Sequence, residues 1–425
     1  MKRFLIFTLA IAATLCASAQ NAEEIKQIDS KYAFELYRPY PVEHITPQTP
    51  APKGYKPFYI SHLSRHGSRW HTSTEQYESL LNILQRAHDA GELTELGERY
   101  YAEWCKTTED AKGRGGELSP LGFEQHRGIA HRMYHNYPEI FSTRGSRRCF
   151  IDCRSTIVPR CILSMSSAVA EFARLDPKLE VRVESSEANS YLKAYSGLNS
   201  VKHTSLPQSD SLRRAYMPDQ SAFMARLFRE GAKTAAEIES TNDFMYQVFI
   251  SNAIFGSTPH VGYDPNQYIF TEEERAAVWR ASNIRRYALT GPSKPYLNAV
   301  LSGIKPLVRN IIETADRAIA TGEEQATLRF AHDVNVIPLV AFLGIECGRI
   351  VTDDYANVSR YWQCNRVTPM AANIQLVFYR NRAGEVLVKV MHNECEQMLE
   401  ASVGKPISGV YYRWSDLRSY LTGKL

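Results

Sequence analysis

At 425 residues with 44% hydrophobic and 23% charged side chains, the chain has material for a substantial core, in one large domain or two linked ones. Its formal net charge is only +4, and Lys2 and Arg3 contribute to that. Bulk charge therefore excludes a general nucleic-acid binder, and any preference for anions must come from local placement.

The opening, MKRFLIFTLAIAATLCASAQ, has a basic start, an apolar middle and the small residues Ala17-Ser18-Ala19 before Gln20. This is the pattern of a cleaved secretory signal over residues 1–19, which predicts a periplasmic or secreted protein. Lipid attachment at Cys16 is the weaker reading, because Leu15 stands where a small residue is wanted. The apolar run from Phe4 to Cys16 is too short to span a membrane, and no later segment reaches that length without a charge, so no stable membrane insertion is expected. The other seven cysteines (Cys105, Cys149, Cys153, Cys161, Cys347, Cys364 and Cys395) are an odd number, and Cys347–Cys364 is a plausible bridge. No CxxC pair suggests a structural zinc site.

Further along, a proline-rich arm up to Tyr55 precedes FYISHLS, a strand candidate. Leu80, Leu81, Leu84 and Ala87 then recur at helical spacing, with Gly91 as a stop. Ser119-Pro120 opens another helix as N-cap and first-turn proline. RCFIDC reads as a strand, PRCILSMSSAVAEFARL as a helix and LEVRVESS as a strand. The segment from about 205 to 325 is rich in helix formers, with Thr271 and Glu274 in a capping-box pattern. ATLRF is a strand running into His332-Asp333 and a helix, and the tail returns to a hairpin-like pair of strands, NIQLVFYRN and EVLVKVMHN. Strands and helices alternate at both ends of the chain around a helical block. The expectation is an α/β sheet domain formed by residues 20–160 and 326–425, interrupted by a mainly helical insertion at 161–325.

Three short stretches could carry chemistry. In SRHGSR, Arg65 and Arg69 flank His66 at the end of a strand. Arginine offers a planar fork matched to phosphate oxygens, Gly67 would let backbone N–H groups approach a ligand, and a following helix would aim its positive end there. A neutral imidazole at His66 could then attack phosphorus. A basic surface loop is the bland alternative, and a metal site through His62, His66 and His71 is a further one that lacks a nearby carboxylate. In RFAHD, a second strand delivers His332 and Asp333 to its carboxyl end, in an arrangement suited to acid–base work, or simply to Asp333 capping the next helix. In DCRSTIVPR, Arg154 follows a strand and precedes a helix, as a third guanidinium for the same anion or as an ordinary surface arginine.

Taken together, these stretches resemble the histidine acid phosphatases, the branch of the histidine phosphatase superfamily that includes phytases and multiple inositol polyphosphate phosphatases. The RHGxRxP signature reads Arg65-His66-Gly67-Ser68-Arg69 here, with His71 in the place of its proline. The late His-Asp pair is His332-Asp333, where the inositol polyphosphate branch often has His-Ala-Glu. LSPLGFEQ is close to the family's LTPxGxxQ helix opening. The resemblance implies a three-layer α/β/α sheet domain with a helical cap. It also implies His66 as nucleophile, Arg65, Arg69, Arg154 and His332 as phosphate ligands, and Asp333 as proton donor, with no metal or other cofactor. The implied partner is a small phosphomonoester, inositol phosphates such as phytate among the candidates, and no obligate protein partner is evident. Lys193, Lys202, His203, Arg213 and Arg214 of the insertion could meet further phosphates, against the more ordinary reading that most of them are solvated surface charges. Competing readings are a phosphohistidine mutase or phosphotransferase, which export disfavours, and a non-catalytic phosphate-ester binder, which needs neither His66 nor Asp333.

Overall fold

The computed structural model describes residues 35–193, 209–258 and 264–425. Residues 1–19, expected to be a signal, and Lys202 and His203 lie outside these. Among the described residues, eight strands form one mixed sheet: β1 (Lys56–Arg65), β2 (Phe150–Ser155), β3 (Glu180–Ser185), β4 (Ala326–Ala331), β5 (Asn373–Arg380), β6 (Val386–His392), β7 (Cys395–Glu396) and β8 (Tyr411–Arg413). The order is β3-β2-β4-β1-β5-β6-β7, with β8 also paired to β6. β1, β2, β3 and β4 run parallel, whereas the β5–β6 hairpin is antiparallel.

The longer helices are α1 (Glu75–Asp89), α2 (Glu95–Ala111), α3 (Pro120–Asn136), α4 (Pro159–Leu175), α5 (Ser221–Leu227), α6 (Thr241–Asn252), α7 (Glu272–Thr290), α8 (Lys305–Thr321), α9 (Asp333–Phe342) and α10 (Trp414–Gly423). The expected caps form. Ser119 accepts from the N–H of Gly122 with Pro120 in the first turn, and Thr271 and Glu274 make a reciprocal capping box. Gly91, just past α1, takes a φ of +68°. The helix-former run from Gln220 to Glu239, helical by period in the sequence, is broken in two: α5 ends at Leu227, and Gly231 turns the chain at φ +76° before a short helix at Lys233–Ala236.

Alternation along the strands divides the core. Leu63, Ile374, Leu376 and Phe378 pack with α8, α9 and α10 on one face. Ile60, Ile151, Phe330 and Val377 pack with α3 and α4 on the other. The result is a three-layer α/β/α domain. A separate core lies over it, where Tyr77, Leu80 and Leu84 of α1 and Trp104 of α2 meet Phe223, Phe249 and Trp279 of α5, α6 and α7.

The helical cap is thus built from two stretches of chain, and its limits differ from 161–325. β3 pairs in parallel with β2 along its whole length, and α4 packs beneath the sheet, so both belong to the α/β domain. α8 also packs on the sheet, while α1 and α2 supply part of the cap. Helical period alone cannot distinguish a helix that covers a sheet from one that covers other helices. Cys347 and Cys364 are not bridged: the Cys347 Sγ lies 3.5 Å from Nδ1 of His392, and Cys364 is buried at the start of a short helix.

Candidate active site

The parallel strands β1, β4 and β2 end in register, with Arg65 opposite Ala331 and Ser155 opposite Phe330. The residues that follow, His66, His332 and Thr156, therefore emerge together at the carboxyl edge of the sheet, where open α/β folds gather ligands. The His66 N–H donates to the Ala331 carbonyl (2.9 Å) and the Thr156 N–H to that of Phe330 (3.2 Å), which extends the ladder into the site. Ala371, with a left-handed φ of +56°, donates its N–H to the His66 carbonyl at 3.0 Å.

The rings of His66 and His332 stand edge to face, 5.6 Å apart, both 1% exposed. The Nδ1 of His66 is 2.9 Å from the Gly67 carbonyl. A carbonyl only accepts, so Nδ1 carries the proton and Nε2 keeps its lone pair. Burial, followed by the charges of Arg65, Arg69 and Arg160, holds the His66 pKa well below that of a free histidine, so the ring is neutral. His332 is held down to about 3 by burial and Arg160, against the opposing pull of Asp333. Its Nε2 lies 3.3 Å from the Thr156 hydroxyl.

Three guanidiniums surround the two rings. Arg65 is 1% exposed and donates through Nη1 to the carbonyls of Leu36 and Thr368, each at 2.7 Å, while its Nε has no hydrogen-bond partner. Arg69 donates through Nη1 to the Trp70 carbonyl (2.7 Å), and its buried Nε is likewise unsatisfied. Buried guanidinium N–H groups without protein acceptors are what an anion site leaves open. The third is Arg160, in the first turn of α4, with Nη2 3.5 Å from Nδ1 of His332.

Arg154, expected in this role, stands elsewhere. It lies within β2 and pairs with Asp152 two residues back on the same strand face, at 2.9 Å, and with Glu184 of β3. Strand alternation puts Arg154 on the same sheet face as Asp152, and Glu184 is its register partner on the neighbouring strand, so both carboxylates hold it within the sheet.

The surroundings of Gly67 also differ from expectation. Its N–H donates to the Ser164 hydroxyl (3.1 Å) and that of Ser68 to Oε1 of Gln125 (2.9 Å), so neither points at a ligand. Glycine is needed because a Cβ at position 67 would lie 2.6 Å from the Gly122 carbonyl oxygen. The LSPLGFEQ opening of α3 thus buttresses the loop that carries His66. The helix ends that reach the site are those of α4 and α9, which supply Arg160 and Asp333; the helix after the arginines starts only at Glu75.

Asp333 is the first residue of α9 and His332 the cap position before it. Burial alone would raise the Asp333 pKa, but Arg65, Arg286, His332 and Arg69 pull it down to about 2. Arg286 comes from α7 of the cap, a contribution that no local motif announces. The three-histidine metal reading fails on geometry: the His71 ring is held by Tyr37 and Ser251, and His62 faces Phe330 at 5.7 Å. Of the basic residues that the sequence offered for further phosphates, Lys193 pairs with Glu187, and Arg213 and Arg214 pair with Asp243.

A three-layer α/β/α sheet with a helical cap, and two histidines among arginines at its carboxyl edge, defines a phosphate-handling enzyme of the α/β class. Among solved structures, the chain is similar to the multiple inositol polyphosphate phosphatase of Bifidobacterium longum in complex with inositol hexasulfate, at 20% identity and a TM-score of 0.72, over 92% of this chain and 97% of that one. The phytase from D. castellii aligns at 16% identity and a TM-score of 0.69, over 93% and 85%. Hafnia alvei phytase aligns at 11% identity and a TM-score of 0.54, over 88% and 98%. No curated protein matches in sequence comparison. The profile of the histidine phosphatase superfamily (branch 2) matches residues 59–393, and the chain belongs to that family. It is a phosphoric monoester hydrolase.

Proposed function

We propose that the chain is an exported acid phosphatase that works through a phosphohistidine at His66 and takes inositol phosphates among its substrates. The observation that carries the mechanism is the Nδ1–Gly67 hydrogen bond, which leaves the His66 Nε2 lone pair available beside Arg65, Arg69 and Arg160. Nε2 attacks phosphorus in line, the P–O ester bond breaks, and Asp333 gives its proton to the departing alcohol. The Asp333 carboxylate then takes a proton from water. The resulting hydroxide displaces His66 from phosphorus and inorganic phosphate leaves. The guanidiniums and His332 neutralise charge as it grows on the equatorial oxygens. Asp333 starts this cycle ionised. A phosphate dianion set among the same arginines offsets the field that keeps it so, which favours its protonated form in the complex.

Inositol phosphates are supported by the likeness to a phosphatase crystallised with inositol hexasulfate and to phytases. Export is supported by the signal-like pattern of residues 1–19, a basic start, an apolar middle and Ala17-Ser18-Ala19 before Gln20. The mechanism is tested by denaturing quench on a labelled phosphomonoester. Label should remain on the wild-type protein in an acid-labile form and be absent from His66→Ala, and equal labelling of the two proteins would refute it. A hydrolysis panel of phytate, sugar phosphates and p-nitrophenyl phosphate tests the substrate class, and sequencing the mature N-terminus tests cleavage before Gln20.

A further inference from the structure

His71 stands where the family signature has proline, and the mechanism above gives it no task. It is nevertheless fully buried, and every polar group it owns is engaged. Its backbone N–H donates to the Tyr77 hydroxyl at 2.9 Å, a bond that proline could not make. Its Nε2 lies 3.0 Å from the Ser251 carbonyl in α6 of the cap. A carbonyl accepts only, so Nε2 carries the proton and Nδ1 must be an acceptor. Tyr37, from the arm before β1, then has to donate its hydroxyl proton to Nδ1, which is 2.9 Å away. With that proton committed, the Tyr37 oxygen can accept, and Nη1 of Arg69 points at it from 3.3 Å. The Arg69 guanidinium carbon also lies 5.1 Å from the centre of the Tyr37 ring, in cation–π range.

Every donor and acceptor in this chain has one consistent assignment. It runs from Arg69 through Tyr37 and His71 to the backbone of the cap. We infer that Tyr37 and His71 are positioning residues that hold the Arg69 guanidinium in place for the phosphoryl group, tying the phosphate clamp to both the N-terminal arm and the helical cap. The inference rests on the reading of Arg69 as a phosphate ligand. Proline in the signature stiffens the turn after the second arginine through its ring; here a buried hydrogen-bonded chain does that work, reaching across three separate segments. The constraint comes from tertiary contacts, so it is made only when the arm and cap are both docked.

The test compares the full-length protein with Tyr37→Phe, His71→Phe, the double variant and Arg69→Ala. It follows p-nitrophenyl phosphate hydrolysis, inhibition by inorganic phosphate and thermal melting. Tyr37→Phe removes one oxygen and keeps the ring, so it tests the chain even if His71→Phe fails to fold. We expect Tyr37→Phe to raise KM and the phosphate inhibition constant together by roughly five- to tenfold, on the scale of one lost ordinary hydrogen bond, with little change in kcat. The double variant should be no worse than the more affected single variant, because both cuts interrupt one chain. Losses that multiply, or a melting shift with unchanged KM and phosphate inhibition, would overturn the inference and leave the two residues as packing. If Arg69→Ala itself binds phosphate normally, the clamp reading fails and this inference falls with it. If Arg69→Ala is impaired and Tyr37→Phe is not, only the positioning chain is refuted.

Discussion

Nη2 of Arg160 lies 3.5 Å from Nδ1 of His332, whereas Arg154, six residues earlier, is held by Asp152 and Glu184 within the sheet. The two arginines should therefore fail differently. Arg160→Ala is expected to lower kcat/KM on p-nitrophenyl phosphate by roughly 100- to 1000-fold, the scale of one lost transition-state donor, with little change in melting temperature. Arg154→Ala should leave turnover near wild type. It takes one of two arginine partners from the buried Asp152, so it should cost about 1–2 kcal/mol in urea unfolding. The opposite pattern would restore Arg154 to the site.

Asp333 is held ionised in part by Arg286. Removing that positive charge takes away stabilisation of the carboxylate, so the Asp333 pKa must rise. If Asp333 is the proton donor, the protonated form persists to higher pH in Arg286→Gln, and the alkaline limb of kcat/KM moves upward. The shift should be visible with an alkyl phosphate and small with p-nitrophenyl phosphate, whose leaving group needs little protonation. An unmoved profile on the alkyl ester would show that the cap arginine does not govern this acid.

Gly67 and Gly122 touch backbone to backbone. A Cβ on Gly67 would sit 2.6 Å from the Gly122 carbonyl oxygen, and one on Gly122 would sit 2.2 Å from that of Ser68. Since backbone atoms of α3 cannot yield locally, Gly67→Ala should destabilise by about 1–3 kcal/mol and displace the His66 loop. Melting temperature and kcat should fall together. A Gly67→Ala variant with normal melting and only weakened phosphate binding would instead point to a direct ligand role for this backbone.

His62 is buried with both ring nitrogens unsatisfied among the described residues. Burial, then the neighbouring His126 and Arg329, holds its pKa near 3. The folded protein thus resists protonation that the unfolded chain accepts near pH 6.5. Its contribution to stability is whole above that value and is lost as pH falls from about 6.5 towards 3. His62→Phe keeps the ring contact with Phe330 and removes the titration. It should match or exceed wild type at pH 7 and lose less melting temperature on acidification to pH 4. Parallel melting curves for the two proteins would contradict this.

Much of the framework can be read along the chain because its causes are local. The cap at Ser119, the capping box at Thr271 and the apolar period of α1 each depend on residues within a few positions of one another. The pairing of SRHGSR with RFAHD is also legible, since each motif follows a strand and parallel strands deliver their ends to one edge. Arg154 could have been withdrawn from the site on the same local logic: in DCR it shares a strand face with Asp152, which offers it a partner before any phosphate does.

The amino-acid order thus determined the α/β class, the strand-end position of His66 and His332-Asp333, and the phosphatase character that they imply. Tertiary structure decided which third arginine reaches the site, where the cap begins, and that α1 and α2 belong to it. It also decided that Tyr37, Gln125, Ser164 and Arg286 support the reactive groups, and that His71 links Arg69 to the cap. The physical reason is sequence separation. Periodicity and capping act within a few residues, whereas the partners of Arg69 and Asp333 come from segments that meet only when the sheet, arm and cap close on one another.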